Sequence, residues 1–390
     1  MNKIFRYIGY VLFRPIWWLE KIVLRDEKLW IFGAWYGQQY SDNSKYLYEY
    51  VMEHNSDIKI VWITKNKKIV EQLRSQHKNA CLSNSIKGVF YCLRAKYAFL
   101  TSGVVDVNKF FLNGIRQIWL WHGMPLKKIL KCEDSYLNIS DKKRKIQQLL
   151  NPYDYFNPYA TLSSSDFFNG FLSDSFGLTE DYVWKLGLPR CDAFFNDKKE
   201  DFVAELKSKY NSPRVMFYMP TFRMTNQLNG ERFVPFIERF GYKADEFSSF
   251  LEEKNIVMLY KPHFADLGVK LNIDTDRFVL VDDTMYKDLY CLLNSVDILL
   301  TDYSSVYFDF LPTKKPIFLL PFDYDEYLKK SRGHFFNMYE EMEGIVCKDW
   351  GEVYKNYNNQ IYNADSNIKK FCKYIDGHSC EKLVNKVLGL

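Results

Sequence analysis

The sequence predicts an α/β protein with two doubly wound, Rossmann-like domains, and three observations support this fold class. The chain of 390 residues exceeds the usual size of one hydrophobic core. Short apolar runs alternate with helical patterns from about residue 29 onward, as in a parallel sheet covered by helices on both faces. A polar segment near residue 205 separates two such series. We therefore predict an amphipathic helix at 1–28, a first domain at 29–205 and a second domain at 206–390.

Composition excludes several classes of protein. Hydrophobic residues make up 47% of the chain and aromatic residues 18%, which is typical of a globular protein and not of a disordered one. The net charge of +5 is spread along the chain without an arginine-rich motif, so we expect no nucleic-acid partner. The eight cysteines include no Cys-x-x-Cys pair, which favours reduced thiols over a disulfide framework or a zinc ribbon.

The first 25 residues combine apolar and basic side chains. With about 100° per residue, a helix here gathers its cations on one arc, opposite a face of aliphatic and Phe side chains. These cations are Lys3, Arg6, Arg14, Lys21 and Arg25. Charged residues interrupt any spanning run, and no small-residue cleavage site follows. We predict a helix, kinked at Pro15, that lies in the interface of an anionic membrane surface; the alternative is a helix packed on the core.

Apolar runs in the first domain are predicted strands, with helical patterns between them. The strands are 29–35, 59–64, 79–83, 96–103 and 116–123, and the helices are about 41–54, 66–77 and 85–95. Neither Gly-x-Gly-x-x-Gly after the first strand nor a Walker-type lysine loop occurs, so dinucleotide-binding and P-loop folds are excluded. The basic run 142–145 is either a solvated surface or a contact for anionic lipid or pyrophosphate.

His122 follows the last of these strands, in the segment WHGMPLKK. Ligands of parallel α/β sheets bind at the carboxyl ends of strands, so this histidine is a candidate general base near neutral pH. Gly123 permits an unusual backbone turn, and Lys127 and Lys128 add positive charge. The alternative is a structural histidine with satisfied hydrogen bonds.

The second domain repeats the pattern, and its strand ends carry cations and hydroxyls. Predicted strands are 214–223, 255–264, 278–283, 296–300 and 315–323, and 285–295 is a predicted helix. Because parallel strands share one carboxyl edge, we expect the residues at these strand ends to form a phosphate-binding crevice. These residues are Thr221, Arg223, Lys261, His263, Ser304 and Ser305. Segment 365–390 is predicted to be helical, with packing against the first domain as one option.

The stretch VDILLTDYSSVYFDF (296–310) is a predicted buried strand, a hydroxyl-rich turn and the start of a helix. Ser304 or Ser305 can cap that helix, whose first amides have no intrahelical partners and suit an anion. An ordinary capped helix without a ligand is the alternative. Asp302 is interpreted as shaping the turn. The pair Asp282-Asp283 is interpreted as ending a strand and capping the next helix, so the site is expected to work without metal.

Seven segments resemble those of the CDP-glycerol glycerophosphotransferases, which build teichoic acid and related capsule polymers. They are YSDNSKYLYEYV (40–51), WHGMPLKK (121–128), GLPRCD (187–192), YMPTFR (218–223), YKPHF (260–264), TDYSSVYFDF (301–310) and the region 323–333. They span nearly the whole chain in order. Met124 and Cys191 depart from the pattern, where threonine and asparagine are common. The resemblance implies a GT-B-like fold whose two domains face a cleft, attached without a membrane span to the cytoplasmic face of the cell membrane.

The resemblance also implies a reaction and its residues. His122 would be the base and His263 a second essential histidine, with CDP-glycerol bound mainly by the second domain. Its phosphates and nucleotide would contact Thr221, Arg223, Lys261, Asp302, Ser304, Ser305 and Arg332. Gly123, Lys127 and Lys128 would lie on the acceptor side. No cofactor or metal is implied. The acceptor would be a polyprenyl-diphosphate-linked saccharide or a growing polymer, and CMP would leave.

Three other functions stay open from the sequence. A ribitol-phosphate transferase that uses CDP-ribitol would have the same site. A GT-B glycosyltransferase with a nucleotide-sugar donor would share the fold but release a nucleoside diphosphate. A non-catalytic, membrane-bound assembly protein would not need His122 or His263.

Overall fold

The computed structural model describes residues 15, 17–155, 157–221, 236–262, 271, 273, 275–330, 333–358 and 362–390. These residues form two compact units, each with one parallel sheet, which confirms the predicted pair of Rossmann-like α/β domains. Unit 1 comprises the described residues up to Met124, Ile129–Asp192 and Lys373–Leu390. Unit 2 comprises Pro125–Lys128 and the described residues of Ala193–Cys372. Within the described ranges, none of the helices has the length and apolar character needed to cross a bilayer.

The sheet of unit 1 has the strand order β3-β2-β1-β4-β5-β6-β7, and all its neighbours are parallel. Its strands are β1 Asp26–Gly33, β2 Lys59–Thr64, β3 Ala80–Leu82, β4 Ala95–Leu100, β5 Arg116–Trp119, β6 Ala160–Ser163 and β7 Val183–Lys185. Its helices up to residue 192 are α1 Asp42–His54, α2 Lys67–Ser75, α3 Ile86–Arg94, α4 Asp134–Leu137, α5 Asp141–Leu150 and α6 Asn169–Phe176.

Aromatic side chains of the central strands form the core of unit 1. Trp30, Phe32, Trp62 and Phe99 are fully buried. The rings of Phe32 and Phe99 stack with centroids 5.0 Å apart, and Trp30 lies 5.1 Å from Phe99. Burial of each such side chain stabilises the fold by about 1.5–3 kcal/mol. This core holds β1 and β4 side by side, and with them the loops at their carboxyl ends.

The sheet of unit 2 has the parallel strand order β10-β9-β8-β11-β12-β13. Its strands are β8 Arg214–Met219, β9 Ile256–Tyr260, β10 Phe278–Leu280, β11 Ile298–Thr301, β12 Ile317–Leu319 and β13 Ile345–Val346. Its helices are α7 Asp201–Lys209, α8 Ala244–Glu253, α9 Leu289–Ser295, α10 Val306–Phe310, α11 Tyr324–Lys330, α12 Met338–Glu341, α13 Trp350–Tyr357 and α14 Asp365–Phe371.

Trp350 is at the centre of the unit 2 core. Its ring centroid lies 5.6 Å from that of Phe247 and 5.8 Å from that of Tyr218. The indole Nε1 donates to the carbonyl oxygen of Ile237 at 2.9 Å, so this fully buried polar group is satisfied. The core therefore ties α8 and α13 to the same face of β8.

The chain ends in unit 1 with helix α15, Ser379–Leu388, which packs on α1. The half-buried carboxylate of Asp192 accepts hydrogen bonds from the N–H groups of Ser379 and Cys380, both at 2.9 Å. An acceptor at a helix start offsets the unpaired amides of its first turn. The backbone N–H of Tyr374 donates to the carbonyl oxygen of Ser164 at 2.9 Å.

The structure places the boundary between the units after Asp192, earlier than the predicted division at 205/206. Hydrogen bonds explain the difference. Asn294 Nδ2 donates to the carbonyl oxygens of Ala193 and Asn196, each at 3.1 Å, and Glu200 accepts from the N–H of Asp288 at 2.8 Å. Residues 193–205 are therefore held by unit 2. The short segment Pro125–Lys128 also belongs to unit 2, although the prediction assigned it to the first domain.

Most of the predicted N-terminal helix, residues 1–14 and 16, lies outside the described residues. Residues 15 and 17–19 are helical, as predicted, but after Leu19 the chain differs from the predicted helix over 1–28. A 3₁₀ turn spans Glu20–Ile22, and β1 already begins at Asp26. The reason is local anchoring. Buried Glu20 accepts a hydrogen bond from the N–H of Asn113 at 2.6 Å, and Arg25 donates to the carbonyl oxygen of Cys92 at 2.7 Å.

Candidate functional site

The strand order of each sheet identifies the edge at which a ligand is expected. The order reverses between β1 and β4 in unit 1, and between β8 and β11 in unit 2. Connections leave such a switch point on opposite sides and open a crevice at the carboxyl ends of the strands. The predicted site residues His122, Thr221 and Asp302 follow β5, β8 and β11, so each lies at the carboxyl edge of its own sheet.

His122 in unit 1 contacts two tryptophan rings. Its ring centroid is 4.2 Å from that of Trp121 and 5.3 Å from that of Trp35. Its Nδ1 is 3.4 Å from the carbonyl oxygen of Thr101. Because a carbonyl can only accept, this long hydrogen bond requires the proton on Nδ1 and leaves the lone pair of the neutral ring on Nε2. An imidazole in this tautomer can accept a proton from a hydroxyl through Nε2.

A buried carboxylate, Asp106, holds the loop that carries Thr101. It accepts hydrogen bonds from the N–H groups of Thr101 at 2.8 Å, Ser102 at 2.6 Å and Tyr36 at 2.7 Å. Burial raises the pKa of the Asp106 carboxyl to about 7, against the opposing effect of these N–H groups and of Lys65. Asp106 thus joins the loops after β1 and β4 at the switch point. Sequence reasoning missed Asp106, Thr101 and Trp35, although Asp106 closely follows a predicted strand end.

The backbone on both sides of His122 has positive φ, +56° at Trp121 and +148° at Gly123. Glycine adopts such conformations without a steric cost, as predicted for Gly123, whereas tryptophan rarely does. Strand β5 therefore stops at Trp119, and the predicted strand 116–123 was too long. His122 lies on a tight turn beyond the strand.

Lys127 and Lys128 belong to unit 2, where their segment pairs with residues 333–335. The N–H of Lys128 donates to the carbonyl oxygen of Gly333 at 2.7 Å, and Lys127 forms an antiparallel bridge with His334. The ammonium of Lys127 lies 5.1 Å from the centroid of the Tyr327 ring, a cation–π distance. Both lysines thus lie beside the segment that follows the predicted ligand Arg332.

Thr221 and Asp302 meet at the switch point of unit 2. The N–H of Thr221 donates to both carboxylate oxygens of Asp302, at 2.9 and 3.0 Å, and the N–H of Tyr303 donates to Oδ1 at 2.6 Å. Asp302 is fully buried. This carboxylate therefore accepts its hydrogen bonds from backbone amides, as expected for a residue that shapes the turn. Its geometry connects the ends of β8 and β11.

Ser304 and Ser305 begin the short helix α10. Ser305 is the residue that precedes the helix, but its side chain makes no capping hydrogen bond. The hydroxyl of Ser304 accepts from the N–H of Val306 at a long 3.4 Å. The capping predicted for this turn is therefore weak. Because α10 has only five residues, its dipole attracts an anion less strongly than the dipole of a long helix would.

Lys261 follows β9, and its ammonium pairs with the carboxylate of Asp283. The lysine side chain is 20% exposed and the aspartate side chain 71% exposed. Burial alone would raise the pKa of the Asp283 carboxyl, but hydrogen bonds from Lys261 and Tyr286 leave that pKa lowered. Asp283 was predicted to end a strand and cap the next helix, not to pair with Lys261. Its charge offsets that of Lys261, so a phosphate would compete with this carboxylate.

Three predicted site residues, Arg223, His263 and Arg332, lie outside the described residues. The described ones fall into two groups. Unit 1 holds His122 and Gly123, and unit 2 holds the others, which are Lys127, Lys128, Thr221, Lys261, Asp302, Ser304 and Ser305.

His334 follows the predicted site residue Arg332 by two positions. Both of its ring nitrogens are buried, and neither has a hydrogen-bond partner among the described residues. Tyrosine rings surround it, with that of Tyr303 6.0 Å and that of Tyr324 5.9 Å away between centroids. Burial, together with the positive charge of Lys127, lowers the pKa of His334 to about 4. The imidazole is therefore neutral near pH 7.

Comparison with known proteins identifies relatives along the whole chain. The family model described as CDP-Glycerol:Poly(glycerophosphate) glycerophosphotransferase matches residues 17–389. A teichoic acid glycerol-phosphate transferase of Staphylococcus aureus is 27% identical over 99% of both chains. A teichoic acid poly(glycerol phosphate) polymerase of Bacillus subtilis is 28% identical over 92% of this chain, which spans only 48% of that relative.

Solved structures agree on the fold. The wall teichoic acid polymerase TagF superposes with a TM-score of 0.76 at 21% identity, covering 99% of this chain and 96% of that one. A UDP complex of Staphylococcus aureus MnaA has a TM-score of 0.53 at 13% identity, with coverages of 92% and 95%. Both likenesses concern architecture, and they support the GT-B-like class of α/β fold. By its match to the family model, the chain belongs to the CDP-glycerol:poly(glycerophosphate) glycerophosphotransferases and is an enzyme of that class.

Proposed function

We propose that the protein transfers glycerol phosphate from CDP-glycerol to a hydroxyl of a membrane-linked acceptor and releases CMP. The acceptor is an undecaprenyl-diphosphate-linked saccharide or a growing poly(glycerol phosphate) chain. The observation that carries this proposal is the family match over residues 17–389. Further support comes from TagF, one structure of which was obtained after a soak with CDPG.

In this reaction His122 acts as the general base. Its Nε2 takes the proton of the acceptor hydroxyl, and the oxygen attacks the β-phosphorus of CDP-glycerol. A new P–O bond forms to the acceptor, and the bond from the β-phosphorus to the bridging oxygen breaks. The bridging oxygen leaves with CMP, which carries the electron pair. The tautomer set by the Thr101 carbonyl supports this role, because it leaves Nε2 unprotonated.

Unit 2 holds the donor in this proposal. Lys261 supplies positive charge to the two phosphates, and the Thr221, Ser304 and Ser305 hydroxyls supply donors. Arg223, His263 and Arg332 are assigned to the same task from the sequence. Asp302 positions the turn. Lys127, Lys128 and Gly123 are assigned to the acceptor from the family resemblance alone.

Purified protein incubated with labelled CDP-glycerol or CDP-ribitol and a polyprenyl-diphosphate-linked disaccharide tests the proposal. CMP release that depends on both CDP-glycerol and the acceptor is expected, with a glycerol phosphate unit in the product. A preference for CDP-ribitol would instead support the ribitol reaction of relatives such as TarL of Staphylococcus aureus, 27% identical over 70% of this chain. Absence of CMP release with either donor would overturn the proposal.

We further propose peripheral attachment to the cytoplasmic face of the membrane, where such an acceptor is anchored. The described part of the N-terminal segment exposes large apolar side chains, with Ile22 76% and Leu24 80% exposed, close to Lys21. Exposed apolar groups beside cations suit the interface of an anionic bilayer. The paired substitutions Ile22→Ser and Leu24→Ser are expected to weaken sedimentation with phosphatidylglycerol vesicles. Unchanged sedimentation would contradict this attachment.

The reaction is also proposed to need no metal ion. The Asp302 carboxylate is occupied by backbone amides and that of Asp283 by Lys261 and Tyr286. Protein cations can then balance the phosphate charge that Mg²⁺ balances in many phosphoryl transferases.

A further inference from the structure

A buried polar network forms hydrogen bonds with the two tryptophans that contact His122. Its members are Asp42, Asn43 and Arg190, which come from the segments YSDNSKYLYEYV and GLPRCD, far apart in the chain. Asn43 is fully buried, Arg190 is 2% exposed and Asp42 is 8% exposed. Burial of ionic and amide groups costs desolvation free energy, which hydrogen bonds and ion pairs must offset. The partners of these three residues therefore indicate what the network does.

One arm of the network holds Trp35. The indole Nε1 donates to Asp42 Oδ2 at 3.1 Å. Arg190 Nη1 donates to Oδ1 of the same carboxylate at 2.7 Å, forming a buried ion pair. Asp42 is thus held by the guanidinium while it orients the indole that packs on one side of the imidazole of His122.

The other arm holds the backbone of Trp121. Asn43 Nδ2 donates to the carbonyl oxygen of Trp121 at 2.9 Å and to that of Leu120 at 3.3 Å. Asn43 Oδ1 accepts from the N–H of Arg190 at 3.1 Å. One amide therefore joins the turn just before His122 to the chain at Arg190, and Arg190 links both arms.

The backbone around this network is strained. Trp35, Tyr36, Asp42 and Trp121 have φ of +45°, +60°, +63° and +56°, in the left-handed region that these residues disfavour. Such residues persist only where the surroundings hold them, and they concentrate at functional sites. Here the surroundings are the hydrogen bonds of Asp42 and Asn43 and of Asp106. The strained tryptophans Trp35 and Trp121 both contact His122, and the buried ion pair is hydrogen-bonded to Trp35.

We propose that Asp42, Asn43 and Arg190 are positioning residues for the base, which act by holding Trp35 and Trp121 against the His122 imidazole. The inference rests on the proposed role of His122. A ring held by two indoles and one carbonyl keeps Nε2 in one direction, which is the alignment that proton transfer requires. A network that served only the stability of unit 1 would have no selective effect on the chemical step.

The variant Asn43→Ala tests this, with Asn294→Ala as a matched control. Asn294 is also a buried amide that donates to two backbone carbonyls, but it lies in unit 2 before β11. Asn43→Ala is expected to lower kcat for CMP release roughly 10- to 100-fold while the KM for CDP-glycerol stays near that of wild type. Asn294→Ala is expected to lower thermal stability and leave kcat unchanged.

Two further variants keep the test decisive if Asn43→Ala does not fold. Trp35→Phe keeps an aromatic ring but removes the indole N–H, and Arg190→Lys keeps the charge and the backbone N–H. A lowered kcat in Trp35→Phe, with near-normal kcat in Arg190→Lys, is expected. If His122→Ala abolishes activity while Asn43→Ala and Trp35→Phe keep wild-type kcat, the positioning role is wrong. If His122→Ala itself is fully active, the proposed role of His122 fails instead.

Discussion

The two units use the carboxyl edges of their sheets in different ways. At the edge of unit 1, His122 contacts two indoles and one carbonyl. The nearby carboxyl groups accept hydrogen bonds, Asp106 from backbone N–H groups and Asp42 from Arg190. At the edge of unit 2, the exposed partner of Lys261 is a carboxylate, and hydroxyl residues follow β8 and β11. One edge presents a histidine in contact with aromatic rings, and the other presents an ion pair and hydroxyl residues.

This difference matches the two needs of a phosphodiester transfer. In the proposed reaction, activation of the acceptor hydroxyl requires an unprotonated ring nitrogen that points in one direction. Contact with two indoles and a fixed tautomer of His122 would meet this requirement. Binding of a pyrophosphate requires cations and donors that need not be neutral or rigid. The comparison predicts that substitutions in unit 1 reduce the rate of the chemical step, while those in unit 2 change donor binding.

The largest effect is expected for His122→Ala. Loss of a general base should lower kcat for CMP release about 100- to 10,000-fold, with little change in the KM for CDP-glycerol, because the donor is assigned to unit 2. Steady-state kinetics on variant and wild type, matched for folding by circular dichroism, provide the measurement. A kcat within about tenfold of wild type would remove His122 from the role of base.

Opposite shifts are expected from the two members of the Lys261–Asp283 pair. Lys261→Met should raise the KM for CDP-glycerol roughly tenfold or more, since a hydrogen bond to a charged group contributes about 1.5–3 kcal/mol. Asp283→Asn frees the ammonium and should lower that KM by up to about fivefold, at little cost in stability for so exposed a carboxylate. Initial rates at varied donor concentration measure both. Shifts of the same sign would show that Lys261 does not contact the donor.

A smaller, pH-dependent effect is expected for His334→Phe. The pKa of His334 is lowered from 6.5 to about 4 in the folded protein. Between these values the unfolded chain binds a proton that the folded chain does not, so stability falls as the pH falls. The wild type should therefore lose stability relative to His334→Phe when urea midpoints are compared at pH 7 and pH 5. An equal difference at both pH values would contradict the lowered pKa.

Removal of metal ions is expected to have no effect. If protein cations balance the phosphate charge, initial rates of CMP release should be the same after dialysis against EDTA as before it. Addition of Mg²⁺ or Mn²⁺ to the dialysed enzyme provides the control. A loss of activity that either ion restored would show that the charge balance assigned to unit 2 is incomplete.

Much of the fold was predictable because strands that are buried on both faces have nearly continuous apolar sequences. The predicted strand 59–64 coincides with β2, and the predicted strand 296–300 overlaps β11, which spans Ile298–Thr301. The polar segment near residue 205 correctly indicated a second sheet. The position of Thr221, Lys261, Asp302 and His122 at strand ends followed from the same pattern, since parallel strands share one edge. Element limits were less accurate, as at 116–123, because the left-handed Trp121 leaves no signal in hydropathy.

The sequence by itself determined the α/β class, the residue types at the strand ends and the motifs that indicated the family. Only the tertiary structure decided which of these residues are neighbours. Asp42 and Arg190 are distant in sequence yet form a buried ion pair, Asp283 was not foreseen as the partner of Lys261, and Pro125–Lys128 belongs to unit 2. The physical reason is that periodicity reports whether a side chain is buried, whereas its partner depends on strand order and on the path of the loops.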